Sequence, residues 1–423
     1  MSQNYVHGIL HEIWQLILFE LNFLSQIRLR QVCKDFYKLQ INDFYNICSK
    51  YLDKLNDEIL CNYSQITKLN ATNKSINNIY NMTRLEVLNA ACNTCIDNHQ
   101  IKNLVNLKVA DFSSNSSITN INHLTRLEVL NASHNNCIDD DQIKNLVNLK
   151  IADFSYNASI TNINHLTNLQ ILSIAGSCGV DTDGIIGLNL KELNITCNPK
   201  ITNINHLIGL EKVEAGGASC GLSDEGIKDL VNLNYADFGY NSKIVDVNHF
   251  TNLKTLMVNG NCGVKNIGIR KLDLIKLSAG FNNKITDINH LTNLEHLDIH
   301  NNYFIDNDGI QNINPIAFNM WDCPKITNIN HMTKLKELFA CGDCKIGDCG
   351  IKNLDLVFLE ATSNRYITNV SHMTRLQTLF AGFKSGIDMN GIKGLDLRVL
   401  RTAGNRKITR QNDCAKLHCI YDR

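Results

Sequence analysis

Proline is scarce, at 3 in 423 residues. With so few, no proline-rich linker divides the chain, and no long structureless segment is visible. Neither sign of charge predominates: 41 lysines and arginines stand against 41 aspartates and glutamates, a formal net charge of zero. That argues against a dedicated nucleic-acid binder or a membrane-surface protein. No window approaches 18 uninterrupted apolar residues, so no membrane-spanning helix is expected. The first ten residues, MSQNYVHGIL, lack a basic start and an apolar core, so no secretory signal is read there. Without one, the 16 cysteines are expected to be mostly reduced thiols, in cytosol or nucleus. Catalytic signatures are also lacking. There is no G-x-x-x-x-G-K-[ST] loop, no H-E-x-x-H, and no G-x-S-x-G between a strand and a helix. The expectation is a non-enzyme that uses no cofactor.

What the chain has is repetition. ITNINHL stands at 118–124, again at 160–166 and again at 201–207. The leading isoleucines run Ile76, Ile118, Ile160, Ile201, Ile244, Ile285, Ile326, Ile367 and Ile408, in steps of 41 to 43. A chain of this length is too long for one compact core, and a fixed period makes it a solenoid. Each period holds a long half, such as 124–146, and a short half, such as 146–166. Both keep the frame L-x-x-[LA]-x-[LFA]-x-x-N-x-x-I. In LEVLNASHN, Leu127, Leu130 and Ala132 are expected to point into the core, while Val129, Asn131 and Ser133 alternate outward.

That frame resembles the leucine-rich repeat. The resemblance implies an α/β solenoid of horseshoe form, with a parallel concave sheet, polar turns, and helical or 3₁₀ segments on the convex side. It also implies a ladder of buried asparagines at Asn93, Asn115, Asn135, Asn157, Asn198, Asn241, Asn261, Asn282, Asn302, Asn364 and Asn405, with Cys323 taking the place once.

His123, His165, His206, His249, His290, His331 and His372 recur with the period. Asn122 reads as the N-cap of a short convex helical turn, with the histidine in its first turn, facing out. Two strands separate successive histidines, roughly 10 Å. Two nitrogens on one zinc lie only about 3–3.5 Å apart. The column is therefore read as scaffold, not as a metal site. Cys95, Cys137, Cys178, Cys220, Cys262 and Cys344 occupy almost one turn position and are expected to line one edge of the stack as small buried hydrophobes. CNTC and CGDC match C-x-x-C, but a zinc site needs two further ligands. Only Cys341, Cys344 and Cys349 invite a test for metal or oxidation.

Residues 9–39 break the repeat and take a helical period, with Ile13, Leu16, Ile17 and Leu21 on one stripe. Leu10, Glu12, Ile13, Leu18, Leu21, Arg28, Leu29, Val32, Cys33, Lys34, Phe36 and Tyr37 fall in step with the F-box pattern, which this stretch resembles. The usual proline is His11, a departure that loosens the turn into the first helix. The alternative is a helical cap over the solenoid's apolar end. The domains expected are an all-α F-box-like domain over 5–45, a helical connector over 46–64, and the repeat array over 65–423.

An F-box followed by leucine-rich repeats is similar to the substrate receptors of SCF-type ubiquitin ligases. The resemblance implies docking on a Skp-type adaptor, and through it a cullin, by Leu10, Ile13, Ile17, Leu18, Leu21, Leu29, Val32, Cys33 and Phe36. The repeats then hold a target protein, and no residue of this chain performs the transfer. A plain interaction scaffold remains the rival reading. On the concave face, one outward column of the early array carries Asp111, Asp153 and Asp237. Aromatic residues accumulate along the face: Tyr156, Tyr240, Phe281, Trp321 and Phe383, with Phe339 and Phe380 in the first column. Exposed aromatics on a rigid sheet are the residue type that dominates binding hot spots. No basic stripe appears there. The composition is rich in asparagine, isoleucine and lysine, and the whole looks like the F-box repeat families of amoebae and of the giant viruses infecting them. A viral protein of that kind would act in host cytoplasm.

Overall fold

This computed structural model describes residues 40–408 apart from 46, 48 and 64, and before them 5–6, 9–10, 18, 21 and 23–32. The chain forms two compact units, Met1–Thr202 and Asn203–Arg423. Each is a stack of short parallel strands.

In the first unit the strands are Asp43–Phe44, Lys68–Asn70, Val87–Asn89, Val109–Asp111, Val129–Asn131, Ile151–Asp153, Ile171–Ser173 and Glu192–Asn194. Each pairs in parallel with the next. In the second unit ten strands run from Lys212–Glu214 to Val399–Arg401, again each beside its successor. The central residue of each three-residue strand points inward. Leu130 is buried with Leu127 and Ala132 beside it, while Val129, Asn131 and Ser133 stay half exposed. Strand alternation alone produces this division. Together with the repeat period it makes the fold a leucine-rich-repeat solenoid.

Opposite the sheet, the long halves carry one helical turn each. Four are α-helical, Asn98–Ile101, Asp140–Ile143, Asn266–Ile269 and Asp348–Ile351. Four are 3₁₀, Asp183–Ile185, Asp224–Gly226, Asp308–Ile310 and Asn390–Ile392. Asp97 and Asp139 cap the first two by accepting from backbone N–H groups of their first turns, the usual remedy for unpaired donors at a helix start.

The asparagine ladder is present. Asn115 Nδ2 donates to the carbonyls of Ala90, Asn93 and Ile96 at 3.0, 2.8 and 3.2 Å, and its Oδ1 accepts from Ser117 N at 3.1 Å. One side chain thus closes its own turn and satisfies the turn before it. Asn261 is a correction: it is exposed, and Cys262, one residue later, is buried in its place. The turn packs differently: Gly263 N donates to Asn241 O at 3.1 Å, a carbonyl that a ladder amide takes elsewhere, and a Cβ at Gly263 would come within 2.4 Å of Ile244 O. The same replacement puts Cys178 and Cys344 inside. A thiol cannot bond as many carbonyls as an amide, and a lysine of the next repeat adds a bond to the cysteine turn's own backbone. Lys200 Nζ donates to Gly179 O at 3.0 Å and Lys284 Nζ to Cys262 O at 2.8 Å.

The cysteine expectation also needs correction. Cys178, Cys220, Cys262 and Cys344 are buried, but Cys95 and Cys137 are exposed, because Asn93 and Asn135 already fill the interior of those turns. Burial pushes the thiols of Cys178 and Cys262 up to about 11 and that of Cys344 up to about 12. They are therefore neutral and poor nucleophiles at neutral pH. Brief iodoacetamide treatment of the native protein at pH 7.5, read by peptide mass spectrometry, is expected to label Cys95, Cys137 and Cys349 and to spare Cys178, Cys262 and Cys344. Equal labelling of both groups would show the ladder to be open.

Before the array, the helix Phe23–Arg30 lies within the stretch expected to be helical. Two other elements there do not fit an all-α domain. Tyr5–Val6 and Ile9–Leu10 pair antiparallel, with Tyr5 opposite Leu10, so Leu10 is a strand residue. Tyr, Val and Ile favour strands, and the two-residue spacing ending in Gly8 is a hairpin signal. The strand Asp43–Phe44 joins the sheet against Lys68–Asn70, so pairing begins ahead of residue 65. The connector holds two short helices, Ser49–Leu52 and Asp57–Leu60.

Candidate functional site

The histidine column is resolved by its hydrogen bonds. His123 Nε2 lies 3.1 Å from Ile101 O, and His165 Nε2 lies 3.2 Å from Ile143 O. His249, His290, His331 and His372 make the same contact with Ile227, Ile269, Ile310 and Ile351. A carbonyl can only accept, so Nε2 carries the proton. The preceding asparagine works in the other direction. Asn330 Nδ2 donates to Cys349 O at 2.7 Å, and Asn353 N donates to Asn330 Oδ1 at 2.9 Å. Asn122 likewise donates to Asp141 O, in the following repeat. These segments are turns, not the short helix expected, so Asn122 caps a neighbour instead of its own turn. Each Asn-His pair couples one repeat to those before and after it. Among the described residues no group of three metal-ligating side chains converges.

The aspartates of the sheet face are tied down locally. Asp111 Oδ1 accepts from Ser113 N at 3.0 Å, Asp153 Oδ1 from Ser155 N at 2.9 Å, and Asp237 Oδ1 from Gly239 N at 2.8 Å. Burial, and then the nearby Glu214 carboxylate, push Asp237 above the usual carboxylate range. These residues shape the turn after the strand before they offer anything to a ligand. Beside them in the first unit runs an apolar row that the sequence reading did not single out: Val87, Val109, Val129, Ile151 and Ile171, in register on adjacent strands.

The aromatic residues are arranged differently. Tyr156, Tyr240, Phe281 and Phe383 adopt φ between +51° and +61°, a conformation that costs a bulky residue energy. All are roughly half exposed or more. Two of them cover a glycine of the following repeat. A Cβ on Gly176 would come within 2.3 Å of the Tyr156 ring, and one on Gly260 within 2.3 Å of the Tyr240 ring. In both, the ring is held on one side by backbone. Tyr156 also stacks on His134, centroids 4.4 Å apart.

Near the end of the second unit these rings converge. Trp321, 47% exposed, and Phe383, 63% exposed, share a cavity of about 570 Å³ with Phe339, Cys341 and Glu360. A chain of rings continues along the sheet: Phe339 to Phe358 at 4.9 Å, then Phe358 to Phe380 at 5.4 Å. Arg401 closes the row, its guanidinium carbon 4.7 Å from the Phe380 centroid. Four residues singled out from sequence, Trp321, Phe339, Phe380 and Phe383, thus fall in one patch. Tyr240 and Phe281 lie earlier in the same unit, and Asp111, Asp153 and Tyr156 lie in the first. Phe358 and Glu360 were missed, though both stand at outward strand positions of the same frame. Burial and the Glu360 carboxylate push the Cys341 thiol well above its ordinary value, and Cys349 is exposed on the far side of its repeat. Cys341, Cys344 and Cys349 belong to no converging group of three metal-ligating side chains among the described residues.

Of the residues expected to meet an adaptor, Ile13, Ile17, Cys33 and Phe36 lie outside the described residues. Leu18 is fully buried, Leu21 and Leu29 are partly exposed, and Val32 is 65% exposed. Gln26, on the same helix, is buried and bonds Asn42, Nε2 to Oδ1 at 2.7 Å, while Asn42 Nδ2 donates to Thr67 Oγ1 at 3.0 Å. The helix is thereby fixed to the first strands of the sheet. No described helix is long and apolar enough to cross a membrane.

No family model matches the chain, and no curated protein matches it. Among solved structures it is similar to a leucine-rich-repeat protein of Leptospira interrogans, with TM-score 0.49 and 18% identity over 87% of this chain and 95% of that one. It is also similar to an internalin of Listeria monocytogenes, with TM-score 0.42 and 23% identity over 76% and 88% of the two chains. A third is the functional domain of InlJ from Listeria monocytogenes, described as including a cysteine ladder, with TM-score 0.41 and 18% identity over 80% and 74%. At these identities the likeness concerns the fold alone.

Proposed function

We propose that this chain is a protein-recognition subunit. It holds a target on the sheet face of its second unit, and its N-terminal segment carries that target to a Skp-type adaptor and cullin of an SCF-type ubiquitin ligase. The observation that supports target binding is the aromatic patch around Trp321. Its rings are large, exposed, and mounted on strands or on the turns directly after them, over a packed core, so little entropy is lost when a partner covers them. The adaptor half rests on the F-box resemblance, and the exposure of Leu24 and Val32 agrees with it. Ubiquitin transfer would come from proximity, the receptor raising the local concentration of target lysines at the conjugating enzyme.

The Gln26–Asn42–Thr67 network favours a second reading, in which the N-terminal helix only caps the array. Deleting residues 1–39 separates the two. A receptor so truncated is expected to lose adaptor pull-down completely and to elute as a folded monomer, because residues 40–64 still cover the first repeat. A cap so truncated would aggregate on size exclusion. If the full-length chain fails to retain a eukaryotic Skp-type adaptor at micromolar concentration, the ligase reading falls and the scaffold reading stands.

A further inference from the structure

Aromatic rings account for the exposure of the Trp321 patch, but not for the carboxylate at its edge. Glu360 lines the same cavity as Trp321, Phe339 and Phe383. Its Oε1 accepts from Thr362 N at 3.2 Å, and among the described residues it forms no ion pair. A half-exposed carboxylate without an ion pair is open to a cation that a partner brings.

The floor of the cavity is Gly342, at φ +68°. A Cβ there would stand 2.8 Å from Trp321 Nε1 and 2.0 Å from Asp322 Oδ1. Only glycine lets the indole settle at this depth, so one aromatic edge is fixed and the open side of the cavity is kept clear. Three rings and one carboxylate then surround a space large enough for a long side chain. Rings attract a cation over their faces, and the carboxylate adds an acceptor of opposite charge. This sheet face already shows the pairing: Arg401 lies over Phe380 at 4.7 Å.

We propose that this cavity receives an arginine side chain of the partner protein, stacked on Trp321 or Phe383 and bonded to Glu360. The inference rests on the sheet face of the second unit being the docking surface. Arginine fits better than lysine because its planar guanidinium can stack on a ring while its in-plane N–H groups reach a carboxylate in a bidentate pair. An ammonium is a strongly hydrated point charge and does neither as well.

The chain has 2 tryptophans, Trp14 and Trp321, so Trp14→Phe leaves Trp321 as the sole emitter. On that background, N-acetyl-arginine methylamide, its citrulline counterpart and its lysine counterpart are titrated through the millimolar range. A saturable change in Trp321 emission is expected with arginine, and about fivefold weaker binding with the uncharged citrulline. Glu360→Gln keeps an acceptor for Thr362 N–H and should leave melting unchanged. It is expected to weaken arginine about fivefold and to leave citrulline unmoved. Equal binding of arginine and citrulline, tighter binding of lysine, or no response to arginine would each overturn the proposal. The docking reading is tested apart from it, by target capture with Trp321→Ala. If capture is lost while the arginine amide fails to bind, the inference alone falls. If capture also survives the substitution, the docking surface falls with it.

Discussion

Asn115→Ala is expected to destabilise the first unit by about 3–5 kcal/mol, measured as a shift in the denaturant midpoint. The side chain bonds carbonyls of Ala90, Asn93 and Ile96 and accepts from Ser117 N, with no exposure of its own. Alanine leaves the Ile96 carbonyl and the Ser117 N–H without the amide, and leaves Ala90 O and Asn93 O only the single backbone bonds from Asn93 N and Ile96 N; each unsatisfied group costs about 1–3 kcal/mol. Water cannot easily replace the amide, because the neighbouring turns close the site from both sides. The control is Asn261→Ala in the second unit. That asparagine is exposed, so the change should stay within about 0.5 kcal/mol. If the two substitutions cost the same, the ladder is not what joins the repeats.

Trp321→Ala with Phe339→Ala is expected to reduce target binding at least about thirtyfold, the scale of losing hot-spot residues. Far-UV circular dichroism and the melting midpoint should hardly move, since Phe339 points outward from its strand and Trp321 stands exposed on the turn after the strand before it. Phe318→Ala supplies the contrast. Phe318 points inward from the neighbouring strand and is fully buried, and its loss should cost about 3–5 kcal/mol. Binding after the double substitution is measured by capture of target from a eukaryotic lysate and then with the identified partner. Unfolding by the double substitution would mean that these rings are core. Unchanged capture would move the docking surface elsewhere, and the apolar row from Val87 to Ile171 would be the next place to test.

Much of this fold can be read in the sequence because a repeat repeats its physics. Once Leu127, Leu130 and Ala132 are placed inward, strand alternation fixes the outward residues of every period. Trp321, Phe339, Phe380 and Phe383 were found in this way. Phe358 and Glu360 could have been found by the same step, since they occupy outward positions of the strand between Phe339 and Phe380. The adaptor residues are less legible. Helical periodicity marks the apolar stripe of Ile13, Leu16, Ile17 and Leu21, but periodicity does not say which side faces a partner and which faces the first repeat.

The sequence by itself determined the period, the inward and outward columns and a spacing too wide for successive histidines to share a metal, because each is set by spacing along the chain and by short-range sterics. Tertiary structure decided what depends on the neighbouring turn. It chose Cys262 over Asn261 for the interior, where Gly263 brings its N–H against Asn241 O of the turn before. It aimed six of the column's histidines at a backbone carbonyl 21 or 22 residues earlier and spent one aspartate oxygen of Asp111, Asp153 and Asp237 on a local N–H. It also gathered Trp321, Phe339, Phe383 and Glu360 around one cavity over Gly342. Residues some twenty positions apart in sequence stand roughly 4.8 Å apart on adjacent strands, so side chains that look scattered along the chain share one surface only after the repeats have stacked.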